Sequence, residues 1–258
     1  MAKVNTGHAV NVENFNQVVI NLKNMGSAWN PVDESLHITS LEAHHADCLA
    51  VLKGVNDADA MDKKKTAERA VAYASLNTLV TRTIAAMKSC KMATSDIDNA
   101  VTKKDLIDGS NIAKMAMKRK KVNLKREIIG NTEGAVLDTA TKTHSVSQMA
   151  YDTRLSNFEK LIAQLETAGN YRTNHADLTL EALKTFAEKL KQANDDTNHA
   201  YDLLTNKRKE RNNVLYLNED NTTTRADLIK DELLSLEGST GVHIKKIKEY
   251  KFTKFKDV

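Results

Sequence analysis

NFNQVVINLKNMG, at Asn14–Gly26, and NFEKLIAQLETAG, at Asn157–Gly169, match without a gap. Phe15, Val18, Val19, Leu22 and Gly26 fall on Phe158, Leu161, Ile162, Leu165 and Gly169. The spacing i, i+3, i+4, i+7 puts four apolar side chains on one helical face. The closing glycine stops each helix because it accepts a left-handed backbone that other residues resist. A pattern written twice predicts a fold built twice, so the chain is read outward from this pair.

After each glycine comes a polar loop, SAWNPVDESLH in the first copy and NYRTNHAD in the second. Thr39 and Thr179 then stand at expected N-cap positions. LEAHHADCLAVLKGVND (Leu41–Asp57) and LEALKTFAEKLKQAND (Leu180–Asp195) both begin Leu-Glu-Ala and both close on Leu-Lys-x-x-Asn-Asp, with a one-residue slip between the two motifs. Ala67, Ala70, Val71, Ala74, Leu76, Val80, Ile84 and Met87 continue a helical stripe toward Cys90. Gly54 and the polar NDADAMDKKK stretch predict a break between that stripe and the helix before it. SDIDNAVTKKDLIDG (Ser95–Gly109) predicts a short helix. In the second copy AYDLLTNKRKERNNVLYL (Ala200–Leu217) is taken as the counterpart of the later helix, and RADLIKDELLSLEG (Arg225–Gly238) as one more.

The expected fold is therefore all-α, with two related helical bundles or long hairpins in tandem. Its expected divisions are a tail at 1–13, a first repeat at 14–109, a basic connector at 110–145, a second repeat at 146–238 and a basic aromatic segment at 239–258. Composition agrees. Apolar residues are 41% of the chain, enough for a core, while aromatics are 5% and Pro31 is the only proline, a balance that suits long helices. A net charge of +4 favours solubility without selecting a partner. Two cysteines, Cys48 and Cys90, build no disulfide framework. The opening MAKVNTGHAVNVENFNQ has no apolar core of signal-peptide length and no long apolar run follows, so no membrane span is expected and the cytoplasm is the expected compartment.

KMAMKRKKVNLKR (Lys114–Arg126) carries seven basic residues and no acidic one. Lys114, Lys118, Arg119, Lys120, Lys121, Lys125 and Arg126 can neutralise a phosphate backbone, or they can simply keep a connector in water. The run lacks aromatics for stacking on bases. IKKIKEYKFTKFKDV (Ile244–Val258) does interleave them. There Lys251, Phe252, Lys254 and Phe255 can grip a nucleic acid or an anionic membrane surface. Alternatively the segment lays its apolar side chains on the last bundle with its lysines in water, which is the preferred expectation.

HSVSQMAYDTRLSNFEKLIAQL (His144–Leu165), with its Ser-x-Ser-Gln-Met, Tyr-Asp-x-Arg and Asn-Phe-x-Lys-Leu-Ile features, resembles the opening of the second half of a family of internally duplicated helical proteins of Bacteroidota bacteria. KRKERNNVLY (Lys207–Tyr216), LEGSTGVHIKKIKEYKFTK (Leu236–Lys254) and LVTRTIAAMKSC (Leu79–Cys90) are similar to its other segments. The resemblance implies a duplicated all-helical fold in a cytoplasmic bacterial protein. It brings no catalytic residue, since the family has no assigned activity.

Glu42-x-x-His45 has the spacing of a di-iron ligand pair, but the second copy has Glu181-x-x-Lys184, a cation where a ligand belongs. His44, His45 and Cys48 fall short of the four ligands of a closed zinc site; Cys48 reads as a small core residue and the histidines as partly exposed. There is no Gly-x-Ser-x-Gly elbow and no phosphate-cradling Gly-x-x-x-x-Gly-Lys loop. Trp29 either plugs a bundle end or marks a partner contact. No catalytic residue, metal or cofactor is expected. The expected role is a non-enzymatic structural or protein-interaction protein that self-associates or holds a protein partner; the alternative is nucleic-acid association through the connector and the C-terminal segment.

Overall fold

The computed structural model describes residues 7–108 and 145–254, without the side chains of 145–150. Helix α1 (Gly7–Met25) leads through two short 3-10 turns, at Gly26–Ala28 and Glu34–Leu36, into α2 (Ile38–Ala74). Helices α3 (Leu76–Ser89) and α4 (Thr94–Ile107) follow. The later part holds α5 (Ser145–Ala168), a 3-10 turn at Ala176–Leu178, and α6 (Leu180–Asn212), which ends in a π turn at Asn213–Leu217. Then come α7 (Thr222–Glu237) and the short α8 (Val242–Ile247). The described residues contain no strand, and none of their helices is long and apolar enough to cross a membrane. The all-α expectation holds.

Two features differ from expectation. Helix α2 does not break at Gly54; it runs 37 residues, roughly 55 Å, to Ala74. The Lys207 stem from α6 passes Gly54, and a Cβ there would sit 3.4 Å from Lys207 Cδ. Around the polar stretch, ion pairs from Lys63 to Asp59 and from Lys64 and Lys65 to Glu68 support the helix locally. Likewise Ala200–Asn212 is not a separate helix but the end of α6.

The second difference concerns the divisions. The chain forms two compact units, one of residues 1–63 with 199–258, the other of residues 64–198. The expected tandem ranges 14–109 and 146–238 are both cut across. Each unit takes the front of one long helix and the back of the other, because α2 and α6 outrun the helices that precede them. The first unit buries Phe15, Val18, Val19 and Leu22 of α1 with Trp29, Leu36, Leu41, Ile229, Leu233, Ile244 and Ile247. The second buries Phe158, Leu161, Ile162 and Leu165 of α5 with Leu76, Val80, Met87, Leu178, Leu183 and Leu190.

Matched contacts recur in the two units. Gly26 and Gly169 both take positive φ, at 59° and 69°, and end α1 and α5. Trp29 Nε1 donates to the Leu36 carbonyl at 3.0 Å, and Tyr171 Oη to the Leu178 carbonyl at 2.9 Å. Trp29 thus plugs its loop from inside. Phe15 meets His44 edge-on and Phe158 meets Phe186 edge-on. Lys23 pairs with Glu42 and Glu166 with Lys184, the same bridge with its charges exchanged.

These contacts correct the register read from Leu-Glu-Ala. Leu41 answers to Leu183, not Leu180, and Cys48 answers to Leu190, not Ala187; that three-residue shift, about one helical turn, keeps the buried face aligned where the letters do not. Similarly α7, not Ala200–Leu217, is the counterpart of α3: Thr222, Ala226, Ile229 and Leu233 are buried at the spacing of Leu76, Val80, Thr83 and Met87. Of the two proposed N-caps, Thr179 serves, its Oγ1 accepting from Ala182 N at 3.2 Å. Thr39 lies inside α2.

Phe15 and Phe158 are both 0% exposed. Phe158→Ala is expected to lower the unfolding free energy by about 3–5 kcal/mol in denaturant titration, the range for a large aromatic removed from a filled core. A change below 1 kcal/mol would mean that α5 is not anchored there.

Candidate functional site

The chain after α8 is fixed by asparagines of α1. Asn11, 0% exposed, holds Thr253 at both main-chain polar atoms: Nδ2 donates to the Thr253 carbonyl at 2.8 Å and Oδ1 accepts from Thr253 N at 2.9 Å, while Nδ2 also reaches Tyr216 Oη at 3.3 Å. Asn14 Nδ2 donates to the Lys251 carbonyl at 2.8 Å, and Asn21 Nδ2 reaches Tyr250 Oη at 3.3 Å. Asparagine competes with the backbone for hydrogen bonds and is disfavoured inside helices. Helix α1 carries five, Asn11, Asn14, Asn16, Asn21 and Asn24, and that density was the sequence signal for this clamp. Tyr250 and Phe252 pack partly buried on the core of the first unit, as the docking expectation had it.

With the backbone held, the side chains of this segment face α7 across a cleft of about 270 Å³. Lys230, Lys248, Lys251 and Lys254 line it, against the single carboxylate of Asp227. Lys230 pairs with Asp227 at 3.1 Å and its Nζ lies 5.4 Å from the centre of the Phe252 ring. Lys248, Lys251 and Lys254 are exposed and make no ion pair among the described residues. Of the residues named from sequence, Lys251, Phe252 and Lys254 therefore come together, joined by Lys230 and Lys248, which sequence reading missed because the fold alone brings α7 against the segment. Phe255 and the connector residues Lys114, Lys118, Arg119, Lys120, Lys121, Lys125 and Arg126 lie outside the described residues.

A second cavity, about 420 Å³, lies in the second unit between α3 and the start of α6. Leu79 and Phe186 form its apolar floor, Lys189 stands at its rim, and the Arg82–Asp177 ion pair bounds it. In the first unit Arg225 takes the helix position that Leu79 has here. It fills the space by donating to the Ser35 and Ser40 carbonyls at 2.7 and 3.3 Å.

The His44–Cys48 pair is not partly exposed, as expected for the histidines, but buried. His44 is 7% exposed because its ring packs edge-on against Phe15, and Cys48 is 0% exposed. His44 Nε2 lies 2.9 Å from Thr222 Oγ1 and Cys48 Sγ 3.2 Å from the same oxygen. Thr222 Oγ1 also lies 3.4 Å from the Val214 carbonyl, and a neutral imidazole, a thiol and a hydroxyl can satisfy these contacts without charge. Burial lowers the His44 pKa to about 4, with the Arg225 cation adding to the effect, and burial raises that of Cys48 to about 11. The sulfur is thus a thiol, not the thiolate that nucleophilic chemistry requires. His45 is half-buried and Glu42 is spent on Lys23. Among the described residues no group of three His, Cys, Asp or Glu is placed to hold a metal ion.

No family model matches the chain, nor does any curated protein or solved structure.

Two outcomes follow from this geometry. Asn11→Ala is expected to free the C-terminal segment and speed trypsin cleavage after Lys251 and Lys254 severalfold, since two buried hydrogen bonds worth about 1 kcal/mol each are lost; an unchanged cleavage rate by mass spectrometry rejects the clamp. His44 binds its proton less readily folded than unfolded. The unfolded chain therefore takes up protons first as pH falls through about 6.5, and stability drops until about pH 4, by up to about 3 kcal/mol. Denaturant titrations at pH 7 and pH 5 should show the decrease, and His44→Gln should flatten it.

Proposed function

We propose that this chain is a non-enzymatic helical interaction protein that docks an acidic partner on its first unit. The observation that carries the reading is the clamped C-terminal segment. Buried Asn11 and half-buried Asn14 hold its main chain, while Lys248, Lys251 and Lys254 beside Lys230 make no ion pair among the described residues. Ammonium groups held ready on a fixed backbone lose less entropy on binding than free ones. Their unpaired charge draws an anionic surface by long-range attraction. The neutral His44 and the protonated Cys48 thiol favour the non-enzymatic side of the reading. Self-association is supported by Leu234, Leu236 and Val242, exposed at 44%, 52% and 77% around the Gly238–Gly241 turn.

Calorimetric titration with heparin, a generic polyanion, tests the docking. Binding at low salt is expected, weakening steeply toward 0.2 M, and combined Lys248→Ala, Lys251→Ala and Lys254→Ala should reduce affinity about tenfold or more. No heat of binding at low salt overturns the reading. Light scattering on a sizing column tests self-association; a strict monomer at high concentration leaves only the hetero-partner.

A further inference from the structure

We propose that the cleft between α7 and the C-terminal segment is a binding site for single-stranded nucleic acid, with lysines on its phosphates and Phe252 and Tyr250 against a base. The inference rests on the acidic-partner reading and names that partner.

Several features of the cleft suit a nucleic-acid strand. Its ammonium groups are compact point charges of the kind that contact single phosphate oxygens. Its volume, about 270 Å³, lies below the roughly 300–1,000 Å³ of pockets for drug-sized ligands, so it suits one base of a longer strand whose phosphates meet the lysines. Tyr250 and Phe252 alternate with Lys248, Lys251 and Lys254 and both rings are only partly buried. Basic groups tracking a backbone with aromatic rings beside them are the working parts of sites that hold unpaired strands. Lastly, Thr223 lines the same cleft at the start of α7, where the positive end of the helix adds to the lysine field. A duplex keeps its base faces stacked inside and gives the rings nothing to meet, so the unpaired strand is the occupant.

The test is fluorescence anisotropy of the full chain with a labelled oligothymidylate, a duplex of equal length, and polyglutamate as a separate ligand. Expected is binding to the single strand at least about fivefold tighter than to the duplex. The log–log salt slope should be near −2, about −0.7 for each of three phosphates neutralised. Combined Lys248→Ala, Lys251→Ala and Lys254→Ala should weaken binding about tenfold or more and flatten the slope. Phe252→Leu should weaken it about fivefold and leave the slope unchanged, as loss of one stacked base requires. The lysines are exposed, so their variants stay folded, and a melting curve checks Phe252→Leu. If polyglutamate binds and the oligonucleotide does not, the acidic-partner reading stands and this inference falls. If neither binds, both fall. If neutralising Lys118, Arg119, Lys120 and Lys121 abolishes oligonucleotide binding while the triple cleft variant retains it, the cleft is not the site.

Discussion

Helix α2 has 37 residues and the helix that precedes it has 19. A helix is stable in water only where its apolar stripe finds cover, and α1 can cover about half of α2. The remaining half needs other helices. The same holds for α6, with 33 residues against the 24 of α5. This mismatch of lengths dictates the division of the chain: the front of each long helix is covered by the helix that leads into it, and the back joins the other unit.

Within each unit the same small set of devices holds the helices. A glycine in the left-handed conformation ends the leading helix, a ring hydrogen-bonds a loop carbonyl from inside, and a phenylalanine anchors the leading helix to the long one. Burying such rings supplies most of the favourable free energy, while the hydrogen bonds prevent the loss that an unpaired carbonyl would bring. At several matched positions the units differ in a single side chain. Arg225 fills its position in the first unit with hydrogen bonds to two carbonyls. Leu79 leaves the corresponding position of the second as an open cavity. His44 and Cys48 similarly stand where the second unit has Phe186 and Leu190, and Thr222 joins them into a neutral polar group. Chemically suggestive residues thus serve as packing.

Much of the fold was legible. The all-helical class, both glycine stops, the buried apolar faces of Asn14–Gly26 and Asn157–Gly169 and the core role of Cys48 are local or periodic properties, and such properties survive in a single string of residues. The docking of the C-terminal segment was legible as a preference, because its apolar residues needed cover. The register of Leu41 was not. Leu-Glu-Ala recurs as letters one turn away from where it recurs as contacts, since burial selects positions on a face and is indifferent to the neighbouring polar residues. The helical continuity of α2 past Gly54 was also hidden, because a glycine in a polar run is compatible with either a break or a continuous helix, and local sequence does not decide between them.

The sequence by itself therefore determined which stretches are helical, where two of them stop and which faces are oily, because each of these depends on residues within one or two turns of each other. The tertiary structure alone decided which halves share a core, and it alone brought Lys230 beside Lys248, Lys251 and Lys254 under the clamp of Asn11. The physical reason is that apolar burial is non-directional: a stripe specifies that it must be covered but not by what, and the choice falls to lengths, volumes and a few hydrogen bonds that exist only once the chain has folded.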